Sequence, residues 1–128
     1  MKTLIAEDDF TSRLILQELL KGYGLAHIAV NGRETVEAVS LALDAGEPYD
    51  LICLDIMMPE MDGQEALRKI RAMESISAHA SKIVMTTALA DMSNVVAAQS
   101  NSCDAYLTKP IHQHKLLDVL HRLGLIGG

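Results

Sequence analysis

The sequence has no tryptophan, one phenylalanine and only 3% aromatic residues, so its core must be aliphatic. Cations are outnumbered, 11 lysines and arginines against 17 acids, for a formal net charge of −6. They form no cluster, which argues against a nucleic-acid surface. No apolar run approaches the roughly 18 residues of a membrane span. The opening MKTLIAEDD meets acid at Glu7, too early for the apolar centre of a secretory leader. These absences imply a soluble, cytoplasmic protein. Cysteines are scarce too. Cys53 and Cys103 stand far apart and match no metal-ligand spacing. Cys53 reads as a buried strand residue and Cys103 as a loop thiol, with no disulfide between them.

What is present is a foldable chain. Its 49% apolar and 22% charged content rules out disorder as the main state. A length of 128 residues suits one domain with a real core, and no linker or low-complexity stretch divides it. Residues 1–128 are therefore expected to form a single domain with no output domain in this chain. Short β-type runs occur at Leu4–Ala6, His27–Val30, Leu51–Leu54, Ile83–Thr86 and Ala105–Thr108. Between them apolar residues recur at helical spacing: Ile15/Leu19/Tyr23, Val36/Val39/Leu43, Ala66/Ile70/Met73 and Met92/Val95/Val96, with Leu116/Leu120/Leu123 closing the chain. Asp62 with Glu65 forms a capping box, Gly22 and Gly24 stand where the first helix should stop, and Asn31-Gly32 reads as a turn out of the second strand. Five strand–helix repeats predict a doubly wound five-stranded parallel sheet with right-handed crossovers. The near-continuous apolar strands suit burial on both faces.

Every strand but the second delivers a distinctive polar residue at or just past its C-terminal end. The first gives Glu7-Asp8-Asp9, the third Asp55, the fourth Thr86-Thr87 and the fifth Lys109-Pro110. In an open parallel sheet these ends share one edge, where such folds bind ligands. Three or more carboxylates there need a cation, and hard oxygen ligands favour Mg²⁺. A lysine and a threonine hydroxyl across the pocket suit the remaining oxygens of a phosphoryl group. The chemistry is that of Mg²⁺-assisted phosphoryl transfer with Asp55 as nucleophile.

The motifs "LIAEDD", "LDIMMPEMDG", "VMTTA" and "YLTKPI", in that order and on the expected strands, resemble the receiver domains of two-component response regulators. The likeness covers the whole chain. It implies a flavodoxin-like (βα)5 fold with strand order 2-1-3-4-5 and Asp55 as phosphoacceptor. Glu7 and Asp8 become the acidic pair for Mg²⁺, Asp8 as direct ligand and Glu7 mainly through water, joined by Asp55 and the backbone carbonyl of Met57. Three acids in a row leave Asp8-Asp9 open as the pair, although the spacing to Arg13 favours Glu7-Asp8. Asp9 is then left to cap the first helix. The resemblance further makes Thr87 the switch hydroxyl, Lys109 the phosphate-pairing cation and Tyr106 the aromatic switch, and implies a cis Lys109-Pro110 peptide.

On this reading a histidine kinase or phosphotransfer protein donates a phosphoryl group to Asp55. The surface of the fourth helical stretch, fifth strand and last helix then repacks for an unknown reader. The chain would be a signalling switch with Mg²⁺-dependent self-phosphorylation and autodephosphorylation rather than an enzyme. It would be a monomer or a weak phosphorylation-dependent dimer, away from nucleic acid and membrane. Met57 and Leu89, both bulky and apolar, would border the path of hydrolytic water and prolong the acyl phosphate. A haloacid-dehalogenase-type phosphohydrolase would need a second Asp two residues after Asp55, where Met57 stands. An FMN carrier would need a phosphate loop that Glu7-Asp8-Asp9 would repel. A degenerate receiver acting as a scaffold is disfavoured because every key position is filled. Met57, Met58 and Met61 read as gap fillers beside the pocket. His112 and His114, two apart, would fall on different sides of a helix and are rejected as a metal pair. His27, His79 and His121 read as structural or surface residues.

Overall fold

A computed structural model describes residues 1–77, 79–88 and 103–127. Its strands are β1 (Thr3–Ala6), β2 (Ala26–Ala29), β3 (Leu51–Asp55), β4 (Lys82–Ala88) and β5 (Ala105–Lys109). The described helices are α1 (Phe10–Leu20), α2 (Gly32–Asp44), α3 (Gly63–Ser77) and α4 (Gln113–Arg122). The stretch expected to be helical around Met92, Val95 and Val96 lies outside the described residues, as does Leu89. All five strands are parallel and run in the order β2-β1-β3-β4-β5. This is the doubly wound, flavodoxin-like arrangement expected.

Strand alternation divides the core into two layers. Leu4, Ile52, Leu54, Ile83 and Met85 face α2 and α3, where Val39, Ala42, Ala66 and Ile70 meet them. Ile5, Leu51, Cys53, Val84 and Leu107 face α1 and α4, against Leu16, Leu20, Leu116 and Leu120. Cys53 is buried as expected, and both cysteines are free. Two-sided burial holds for β1 and β3 but fails at the sheet edges. In β2 only Ala29 is buried, and in β5 only Leu107, because each edge strand lacks a neighbour on one side.

Local signals explain most boundaries. Asp9 caps α1, its Oδ2 accepting from Ser12 N–H at 2.8 Å. The chain leaves α1 through a 3-10 turn, Lys21–Tyr23. The buried face of α1 is Leu16 and Leu20 rather than Ile15, so the expected stripe is displaced by one residue. Asn31-Gly32 is a helix start and not a turn. Asn31 Oδ1 accepts from Glu34 N–H at 2.8 Å, while Glu34 Oε1 accepts from Val30 N–H at 3.1 Å. Gly32 is needed because a Cβ there would lie 1.9 Å from the Met61 carbonyl oxygen. The segment after β3 therefore rests directly on the start of α2, and Arg33 pairs with Glu60 at 3.0 Å beside it. Asp62 Oδ1 accepts from Glu65 N–H at 2.9 Å, the N-cap half of the expected capping box.

Candidate functional site

The C-terminal ends of β1, β3 and β5 bring Glu7, Asp55 and Lys109 together. Asp55 is the last residue of β3, level with Thr86 of β4, and is 3% exposed. A helix start crowds its backbone. Gly63 N–H donates to Ile56 O at 2.8 Å, and a Cβ on Gly63 would lie 2.3 Å from the Asp55 carbonyl oxygen. The glycine of "MDG" thus lets α3 begin against the acid's own backbone. The Lys109 ammonium lies 2.8 Å from Glu7 Oε1 and 3.2 Å from Asp55 Oδ2. Asp55 Oδ1 accepts from Met57 N–H at 3.2 Å. Glu7, 1% exposed, accepts from Asp9 N–H at 3.1 Å through Oε2, and Arg13 donates to its carbonyl oxygen at 3.3 Å. Lys109-Pro110 is cis.

Carboxylate oxygens of Glu7, Asp8 and Asp55 all lie within 4.8 Å of one another. Asp9 is spent on the α1 cap, and its Ser12 hydrogen bonds hold its carboxyl below the ordinary range. Burial and the Glu7 carboxylate push Asp55 up to about 7 against the pull of Lys109. Burial works against the Lys109 ammonium, yet Glu7 and Asp55 outweigh it and raise its pKa. Acid exceeds cation here, so Asp55 holds its proton more tightly than an ordinary aspartate. Glu7 Oε1 has no hydrogen bond of good geometry, only the Lys109 ammonium. A hard divalent cation fits this donor set on both counts: it would relieve the repulsion and give a buried oxygen a partner.

Of the other residues singled out in the sequence, Thr87 lies on β4 and Tyr106 on β5. Thr87, 1% exposed, is opposite Thr108, and its hydroxyl donates to Ala88 O at 3.3 Å. Tyr106 is opposite Met85 and packs partly buried against the first core layer. Burial, and then the Cys103 thiol, push its phenol up to about 12. A model of the response regulator receiver domain matches residues 3–121.

This chain belongs to the response regulator receiver domain family. Its relatives include the sensory/regulatory protein RpfC of Xanthomonas campestris, 33% identical over 98% of this chain and 17% of that protein. The two-component response regulator ORR41 of rice (Oryza sativa subsp. japonica) is 30% identical over 98% of this chain and 95% of its own length. The receiver domain of a Pseudomonas aeruginosa sensor histidine kinase superposes with a TM-score of 0.76 at 27% identity, covering 94% of each chain; that structure holds a magnesium ion in its active-site cleft. The receiver spans about a sixth of the length of RpfC. It is a domain of two-component or phosphorelay signalling, and among its described residues no helix is long and apolar enough to cross a membrane.

Two further expectations need correction. His112 is the residue before α4, not within it, so the spacing argument fails: the His112 and His114 rings stack 6.2 Å apart at 27°. Met58 is buried and Met61 partly buried as fillers, but Met57 is 64% exposed beside the acids. The sequence reading also passed over an ion cluster of Arg71, Glu74 and Asp104 at the opposite sheet edge. The buried polar character of Glu74 at a core-facing helix position, three after Arg71, was its only signal.

Proposed function

We propose that this receiver accepts a phosphoryl group on Asp55 from the phosphohistidine of a kinase or phosphotransfer protein and relays the change to a reader. The observation that carries the reading is one lysine bridging a buried acid pair, Glu7 and Asp55, at the sheet edge of a receiver fold. Mg²⁺ would be held by Glu7, Asp8, Asp55 and the Met57 carbonyl. When bound it supplies positive charge that keeps Asp55 ionised and offsets the charge of the arriving phosphoryl oxygens.

The chain's own groups do the rest. A carboxylate oxygen of Asp55 attacks phosphorus in line, an acyl P–O bond forms, and the P–N bond to the donor imidazole breaks. Lys109 exchanges its contact with the Asp55 oxygen for one with a phosphoryl oxygen, guided by charge. The Thr87 hydroxyl, which can rotate from Ala88 O, donates to another phosphoryl oxygen. Tyr106 then turns into the space that Thr87 leaves, altering the surface of β5 and α4 that a reader contacts. Met57 covers the acyl phosphate with an apolar side chain and offers water no hydrogen-bonding guide.

Phe10 and Met57 are both exposed; Phe10 directly follows Asp9, and Met57 stands two residues past Asp55. A cavity of about 310 Å³ is lined by Thr11, Ser12, Ile15, Lys109, Pro110 and Ile111. Such a rim suits cover by the phosphodonor protein. Residues 1–128 act on this reading as one receiver unit in an aqueous compartment. The test mixes the chain with a phosphorylated histidine phosphotransfer protein, with Mg²⁺ or with EDTA. Phosphoryl should move to the chain in Mg²⁺ alone. Equal transfer in EDTA, or none in either, would sink the proposal.

A further inference from the structure

We infer that Asp104, held by Arg71, is the register pin of β5 and a positioning residue for Lys109. The inference rests on the phosphoacceptor reading above and adds a residue cluster at the far end of the sheet. Among the described residues β5 is an edge strand, paired only with β4. Register in a strand is specified by which side chains must be buried, and a slip of one residue sends every side chain to the opposite face. In β5 that specification is weak, since Leu107 alone of its five residues is buried. Yet Lys109 must reach Asp55 across β4 and Glu7 across β4 and β3. Something besides burial has to fix the strand.

Asp104 stands one residue before β5 and makes three contacts. Its N–H donates to Ile83 O at 2.8 Å. Its Oδ2 accepts from Ile83 N–H at 2.8 Å and from Arg71 at 2.9 Å. The side chain therefore copies a ladder partner, closing a pairing with Ile83 just ahead of the first regular one, Val84 with Ala105. Arg71 in turn is fixed by α3 and β4, donating to Glu74 Oε1 at 2.8 Å and to Ser81 O at 2.8 Å. Glu74, 3% exposed, accepts from Ser81 N–H at 2.8 Å through its other oxygen. A buried carboxylate with both oxygens occupied is a rigid abutment. α3 starts against Asp55 at Gly63 and grips the start of β5 through Arg71. One helix thus sets the phosphoacceptor and the strand that carries its lysine in a common frame. Lysine in place of Arg71 has a single ammonium and lacks the fork that reaches both Asp104 and Glu74.

The test uses the whole chain with Asp104→Asn, which keeps an acceptor for Ile83 N–H but loses the charge toward Arg71, and with Arg71→Lys. Val39→Ala, a core change in α2 that also lowers Tm but lies in the layer against β1 and β2, is the matched-stability control, and Arg68→Gln the exposed-cation control. Amide shifts along β5 are recorded by NMR without metal. Phosphorylation rates are then measured with phosphoramidate and Mg²⁺. Both cluster variants should shift amides from Asp104 through Lys109 and slow phosphorylation at least threefold, with neither control doing so. Shifts confined to residues 103–105, or a slowing no greater than that of Val39→Ala, would overturn the inference. If the wild-type chain takes no phosphoryl group, the phosphoacceptor reading fails, and the amide shifts alone still decide whether Asp104 sets β5.

Discussion

Replacing Asp55 with Asn in the metal-free protein should stabilise it, and more at alkaline than at acid pH. Burial and Glu7 hold the folded-state pKa at about 7, against 3.8 for an ordinary aspartate. Between those values the folded chain binds more protons than the unfolded one, so stability falls as pH rises. The contribution of this group is complete below pH 3.8 and lost once pH has passed about 7. At roughly 1.4 kcal/mol per pH unit, forcing the carboxylate to ionise costs about 4 kcal/mol at pH 8, and at pH 5 the loss is about 2 kcal/mol. Asn mimics the neutral acid and removes the penalty. With an unfolding entropy of about 2.1 cal/mol/K per residue, the Tm gain is about 15 °C at pH 8 and about 6 °C at pH 5. Thermal melts followed by circular dichroism in EDTA at both pH values measure it. An equal gain at the two pH values, or a loss at pH 8, would refute the electrostatic reasoning.

Mg²⁺ affinity, measured by titration calorimetry, should fall at least tenfold in Asp8→Ala and less than threefold in Asp9→Ala, the order of magnitude expected for losing a direct ligand against a helix cap. Asp9→Ala should instead cost about 1 kcal/mol of stability through the lost α1 cap, read from urea melts. Gly63→Ala places a Cβ against the Asp55 carbonyl and should destabilise by about 2 kcal/mol or more, with slower phosphorylation from small donors. Met57→Asn should shorten the lifetime of the phosphorylated chain severalfold, followed by loss of phosphoryl mass over time; an unchanged lifetime would end the shielding idea.

The sheet and the polar cluster at its C-terminal edge were legible because their signals are local. Apolar runs of strand length mark the central strands, and a charged residue directly after such a run marks an edge. Asp9 and Asp62 were legible as caps for the same reason: each lies three residues from the N–H it accepts. Features set by contacts between distant segments were not legible. Asn31-Gly32 has the composition of a turn, yet Asn31 caps α2 through Glu34 N–H, and the close approach of Met61, invisible in the sequence, is what requires glycine beside it. The α1 stripe was displaced because Ile15 and Leu16 are equally apolar, and packing chose Leu16. Asp104 and Arg71 are 33 residues apart and announce nothing singly. Edge position, which leaves β2 and β5 exposed, follows from strand order and not from the strand's own residues.

Phosphorylation itself remains the point on which the rest depends. The chain is incubated with Mg²⁺ and phosphoramidate, and intact mass is followed by peptide mapping at acidic pH. One phosphoryl adduct should form, map to Asp55 and be absent from Asp55→Asn. An adduct of the same mass that persists in Asp55→Asn would contradict the assignment of Asp55 as phosphoacceptor.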